Sequence, residues 1–234
     1  MTRAISVVLV HGAFADGSAW NRIIPTLQSK GLRVISVQNP LTSLADDAAH
    51  TRRALAVAEG PIVLVGHSWG GSVITETGVH EKVSALVYVA AFAPDAGESA
   101  KDGLKEYPSS PGLSDLSVDA DGFASLPASG LAANFAQDLP KAETAVMAAT
   151  QGPIRASSFE TILTQAAWKA KPSWYIVAKQ DRMLPPEFQR ATARRIKAKT
   201  TELDTSHVPQ VSRSDEVAAV ILEAASAEQT RRFT

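Results

Sequence analysis

The chain of 234 residues is predicted to be an α/β protein, a mostly parallel six-stranded sheet with helices on both faces and a cap inserted after the fourth strand. Three observations predict it. Short β-branched runs alternate with helical stretches, the rhythm of crossover units and parallel pairing. One run breaks directly into a glycine-flanked turn, Gly66-His67-Ser68-Trp69-Gly70. The rhythm then fails between 92 and 168, a stretch too long for a plain loop in a compact domain.

Strands are expected at 5–10, 32–37, 61–66, 83–90, 173–178 and, as the weakest run, 199–203. Helices are expected between them at 18–30, 43–59, 72–80, 185–197 and 215–225. Gly31 and Gly60 fall where helix C-caps belong, and Pro185-Pro186 opens the fourth helix. No repeat of 20 to 50 residues is visible. The interruption carries Pro108, Pro111, Gly112, Gly122, Pro127, Gly130, Pro140 and Pro153 among small and apolar residues. It is read as a cap, residues 92–168, on a single-domain core made of 1–91 and 169–234. A cap over the strand ends excludes water and shapes a pocket. Phe123, Leu131, Phe135 and Met147 are its candidate lining residues, joined by Phe14, Trp69 and Trp168.

Composition narrows the class. A hydrophobic content of 45% can bury one substantial core, and the absence of cysteine excludes disulfides and thiolate metal sites. A net charge of −1 gives no reason to expect nucleic acid or an anionic membrane as partner. The basic run 190–199 reads as a solvated helix face without interleaved aromatics. No H-E-x-x-H, G-x-G-x-x-G or Walker-type run is present, so no metal, dinucleotide or other cofactor is expected. Met1-Thr2-Arg3-Ala4 leads into the first strand without a signal-type apolar segment, which predicts a cytoplasmic protein. The oligomeric state is left open, a homodimer included.

The chemistry centres on Ser68. A strand turning straight into a helix forces the residue at the bend into a strained conformation and crowds its neighbours, so small residues are needed two before and two after. Gly66 and Gly70 meet that need, which proposes Ser68 as a nucleophile. A serine hydroxyl needs a base within hydrogen-bond reach and an acid to orient the base. Of five histidines, His50 lies in a polar helical stretch, His80 ends a helix, and His67 points away from the neighbouring hydroxyl. His207 follows the last short strand, in the loop position where α/β sheets place their sites. Asp181 occupies the equivalent loop one strand earlier, with Asp95 as the reserve acid. The order Ser68, Asp181, His207 is that of the α/β-hydrolase triad and differs from the chymotrypsin and subtilisin orders. His11 ends the first strand and is read as an organiser of the loop Gly12-Ala13-Phe14. The backbone N–H groups of Ala13 and Trp69 are the expected oxyanion donors.

With Val10-His11-Gly12-Ala13 in front, Gly66-His67-Ser68-Trp69-Gly70-Gly71 at the elbow and Asp181 and His207 late, the chain resembles the α/β-hydrolase fold superfamily over nearly its whole length. The likeness is to its small, cofactor-free branch of plant methyl esterases, hydroxynitrile lyases and bacterial pyrethroid-type carboxylesterases. The lyases of that branch carry a threonine in the oxyanion loop and a lysine after the catalytic histidine. Gly12 and Val208 stand at those positions here and are added to the candidate substrate-binding residues. The resemblance therefore implies hydrolysis of a small-molecule carboxylic ester through an acyl-enzyme. Dehalogenases and epoxide hydrolases of this fold place aspartate at the elbow, unlike Ser68. A lyase, a cofactor-free perhydrolase or oxygenase, and a receptor using the same pocket are the alternatives.

Overall fold

Six strands form the central sheet: β1 (Ser6–Val10), β2 (Arg33–Val37), β3 (Ile62–His67), β4 (Val83–Val89), β5 (Ser173–Ala178) and β6 (Lys199–Leu203). Their spatial order is β2-β1-β3-β4-β5-β6, and every neighbouring pair is parallel. These come from a computed structural model that describes residues 5–231 and the side chains of 5–227. Met1-Thr2-Arg3-Ala4, which bore on the expected location, lies outside the described residues.

The four central strands β1, β3, β4 and β5 are buried on both faces, as parallel sheets require, while the edge strands β2 and β6 are partly exposed. Val8, Val10, Leu64, Leu86, Tyr88 and Tyr175 enter one apolar cluster, while Val7, Leu9, Val63, Val65, Val87 and Ile176 enter the other. This is the two-residue alternation of a pleated strand. Helices α1 (Ile24–Ser29) and α6 (Ser214–Arg231) cover the second cluster through Leu27, Val217 and Ile221. Helices α2 (Leu44–Val57), α3 (Trp69–Thr77) and α5 (Pro186–Arg195) cover the first through Leu55, Ile74 and Phe188. The remaining longer helix, α4 (Lys141–Thr150), belongs to the segment between β4 and β5.

Three helix boundaries differ from expectation: α6 runs on to Arg231 instead of 225, and two others differ for local reasons. The stretch 18–30 splits into a 3-10 turn, Gly17–Trp20, and α1, because Pro25 has no N–H to continue a helix and sits in its first turn instead. Helix α3 begins at Trp69, three residues before the expected start, since Gly70 and Gly71 are helical glycines chosen for clearance. A Cβ on Gly70 would lie 2.4 Å from the Val10 carbonyl oxygen, and one on Gly71 2.1 Å from that of Phe92.

The segment 92–168 holds a small antiparallel sheet (Ser117–Val118, Phe123–Ser125, Ile154–Arg155), a π-helical turn at Leu131–Phe135, α4, and 3-10 turns at Asp102–Leu104 and Ala156–Glu160. Leu131, Phe135 and Ile154 are buried in the same cluster as Val10 and Tyr88. The chain runs outward from β1 to β2 and then crosses back to β3, so the order reverses between β1 and β3. Ligands bind at such a switch point, beyond the carboxyl ends of the strands. Among the described residues no helix is long and apolar enough to cross a membrane.

Candidate active site

Ser68 leaves β3 at φ 51° and ψ −118°, in the region that disfavours side chains, and α3 starts at the next residue. Such a conformation costs on the order of 1–3 kcal/mol and persists only where its surroundings impose it. Here Ser68 N donates to Val89 O at 3.1 Å, while its carbonyl accepts from Gly71 N at 2.9 Å and Phe92 N at 3.2 Å. A Cβ on Gly66 would stand 2.6 Å from Gly70 O, so the turn closes only over glycine.

Three side chains from different strand ends meet above this turn. His207 Nε2 lies 2.8 Å from Ser68 Oγ, and His207 Nδ1 lies 2.6 Å from Asp181 Oδ2. Asp181 is placed by its own loop: Oδ1 accepts from Met183 N at 2.7 Å and Leu184 N at 2.9 Å. Its Oδ2 also accepts from Gln189 Nε2 at 2.7 Å. Gln189, fully buried on α5, accepts from Ala178 N through Oε1 at 2.9 Å and so ties the acid loop to the end of β5. With Asp181 facing Nδ1, the imidazole presents Nε2 to the serine. Asp95, the reserve acid, is elsewhere, in an ion pair with Lys169 at 2.5 Å.

The loop after β1 is held by its histidine. His11 Nδ1–H donates to Gly12 O at 2.8 Å, Nε2 accepts from Asn39 N at 2.9 Å, and Asn39 Nδ2 donates to His11 O at 2.9 Å. One nitrogen donating and one accepting defines a neutral ring, and burial holds the His11 pKa below its usual value. Gly12 is required by space, since a Cβ there would meet Ser68 Cβ at 2.8 Å. Ala13, beside it, lines the cavity over Ser68 and His207. The Trp69 side chain anchors the start of α3 through Nε1, which donates at 2.7 Å to the buried Asp47. Burial raises the Asp47 pKa.

Sequence reasoning gave two groups no part in the site. His67, fully buried, donates from Nε2 to His207 O at 2.8 Å. Burial is the main cause that drives its pKa well below the usual value, with His207 nearby adding to it. The segment 133–138 reaches both loops that flank the site. Gln137 Nε2 donates to Gln180 O at 2.6 Å, and Arg182 Nη1 donates to Ala133 O at 2.9 Å. Asp138 Oδ2 accepts from Thr205 Oγ1 at 2.8 Å and from Ser206 N at 2.9 Å. The π-helical irregularity of Leu131–Phe135 was the missing signal, and such turns leave no mark in hydrophobic periodicity.

The cavity over Ser68, of about 200 Å³, is lined by Ala13, Phe14, Phe92, Leu113, Phe159 and Met183 among others. Of the expected lining residues Phe14 reaches it, and the others lie apart. Phe123 sits on the small antiparallel sheet under the Arg155 guanidinium. Leu131 is buried in the core, and Phe135 packs edge-on against the His207 ring with centroids 5.1 Å apart. Trp168 donates to Pro94 O and carries Lys169 and Arg195 over its ring. Val208 is core, Gly12 is backbone clearance, and Met147 lines a separate cleft. Without a period to fix their facing, these side chains could be picked for size but not for direction.

Residues 7–220 match the profile of the alpha/beta hydrolase family. The chain belongs to that family. A probable hydrolase R7 from a Phoma species is 28% identical over 247 residues, spanning 94% of this chain and 97% of its own. Methylesterase 1 of Arabidopsis thaliana is 25% identical over 221 residues, spanning 78% and 81%. Among solved structures, polyneuridine aldehyde esterase superposes with a TM-score of 0.81 at 20% identity, over 95% of this chain and 99% of that one. A pyrethroid hydrolase from Sphingobium faniae does so with 0.78 at 23% identity, over 96% and 98%. At these identities the structural likeness speaks for the fold. The relatives fall in the esterase branch that the sequence resembled.

Proposed function

We propose that the protein is a serine hydrolase that cleaves a small carboxylic ester through an acyl-enzyme. The observation that carries this reading is the continuous line from Asp181 Oδ2 through the His207 ring to Ser68 Oγ, with contacts of 2.6 and 2.8 Å. Its esterase relatives support the same reaction class. Ser68 Oγ attacks the acyl carbonyl while His207 Nε2 takes its proton, and Asp181 keeps Nδ1 protonated and favours the imidazolium. The Ala13 and Trp69 amides receive the oxyanion, at about 3–4 kcal/mol for each such donor. His207 then protonates the leaving alcohol and activates the water that releases the acid. Residues 92–168 act as the cap. Phe92, Leu113 and Phe159 at its ends and middle keep the cavity apolar, which strengthens each polar interaction at the reacting carbonyl.

The experiment is covalent labelling with an activated alkyl phosphonate, the modified peptide located by mass spectrometry. Labelling at Ser68 that requires His207 supports the reading. Labelling confined to another residue in an enzyme that turns over esters removes it.

A further inference from the structure

Two cavities meet at Phe14. The inner one over Ser68 and His207 is about 200 Å³, and a more open cleft of about 450 Å³ lies beside it. Among the described residues Phe14 alone lines both. Its ring is nearly fully buried, edge-on to Phe135 with centroids 6.4 Å apart. Its backbone stands at φ 59°, in the left-handed region, so the chain holds this aromatic wall in place against a local cost.

We infer that the outer cleft is a second compartment of the same substrate site, and that Phe14 is the specificity-determining partition between the two halves of the ester. The inference rests on the proposed hydrolase reading. The inner compartment takes a compact apolar group of single-ring size. A dry cavity of about 150 Å³ lined by aliphatic and aromatic side chains holds one benzene, whereas sites for drug-sized ligands run from roughly 300 to 1,000 Å³. The outer compartment takes a larger neutral group. Its walls include Ala19, Val146, Met147 and Val211. Its charged pair neutralises itself, Arg22 Nη2 lying 2.7 Å from Glu143 Oε2, while Arg22 Nη1 donates to Val211 O at 2.8 Å. Asp16 is turned to its own chain, accepting from Ser18 N at 2.6 Å. A carboxylate on the second half of the ester would find the Arg22 guanidinium already paired, and the two lining anions are held, Glu143 by Arg22 and Asp16 by the Ser18 amide. The substrate class is thus an uncharged ester with one single-ring side and one bulkier apolar side.

The test is a matrix of neutral esters in which one side stays benzoyl or benzyl while the other grows from methyl to naphthylmethyl or naphthoyl. Val146→Trp fills the outer cleft from an exposed position of α4 that the fold does not depend on. It is expected to lower the large-to-small ratio of kcat/KM by about tenfold or more, the scale on which a pocket rejects a misfitting apolar group. Phe14→Ala joins the compartments and is expected to admit esters with two bicyclic sides that the wild type refuses. Unchanged ratios in both variants, with Ser68 still labelled by the phosphonate, overturn the second compartment and leave the hydrolase reading standing. A wild type that neither labels at Ser68 nor turns over any ester in the matrix overturns both.

Discussion

The imidazole of His67 donates from Nε2 to the backbone carbonyl of His207, and the two rings stand 4.9 Å apart. The residue before the candidate nucleophile therefore holds the main chain of the candidate base, through a contact between positions 140 residues apart in sequence. With Nε2–H as donor the neutral ring leaves Nδ1 as an acceptor, and among the described residues that atom has no hydrogen-bond partner. A second proton there would place a buried like charge beside the ring that, as proposed, becomes cationic in turnover.

This arrangement makes stability depend on pH. His67 and His11 both have pKa values below the usual 6.5, with burial the leading cause in each. The unfolded chain takes up protons near 6.5 and the folded chain does not, so stability is retained above that pH and lost as pH falls below it. For each group the slope is at most about 1.4 kcal/mol per pH unit and acts between its folded pKa and 6.5. Guanidinium unfolding between about pH 7.5 and 5.5 is expected to show falling stability. His67→Gln, which keeps a donor and removes one titration, flattens that fall. A variant curve as steep as that of the wild type contradicts the assignment.

Asp181→Asn replaces the acceptor at His207 Nδ1 by an amide that can stabilise the wrong tautomer. Turnover is expected to drop on the scale of about 10⁴, the loss seen when a Ser-His-Asp site suffers this change. Asp95→Asn breaks only the half-exposed contact with Lys169 and is expected to stay within about threefold of wild type. Steady-state kinetics on an activated ester checks the ranking, and the reverse order moves the acid to the loop after β4.

Asp138 offers a test of how the base loop is held. Asp138→Ala removes the acceptor of both Thr205 Oγ1 and Ser206 N, immediately before His207. The expected result is a fall in kcat of about tenfold per phosphonate-titrated site, with KM little changed, because misplacement by fractions of an ångström weakens the reacting geometry more than binding. Both bonds use one oxygen, so Asp138→Asn, which keeps an oxygen acceptor, restores turnover. Equal kcat per titrated site in the alanine variant contradicts a positioning role.

The sheet was legible because its strands are short β-branched runs with helices between them, and because Gly66, Ser68 and Gly70 mark a turn whose spacing has a steric cause. Asp181 and His207 could be singled out because strand ends are recognisable and because, in the loops that follow two of them, they complete the order Ser, Asp, His of the α/β-hydrolase triad. The cavity lining was not legible. Leu104, Leu113, Leu116 and Phe159 lie in a segment whose short turns follow neither a period of two nor one of 3.6, so sequence alone gives no facing. Met147, a candidate by size alone, sits on α4 in the neighbouring cleft. His67 and the 133–138 clamp depend on contacts across the fold that carry no local signature.

The proposed hydrolysis requires that Ser68 Oγ become acylated. Rapid mixing of the protein with p-nitrophenyl acetate reads that step: one equivalent of nitrophenolate per site released ahead of the steady state, with Ser68→Ala folded and silent, is the expected result. Undiminished turnover by a folded Ser68→Ala variant would contradict it.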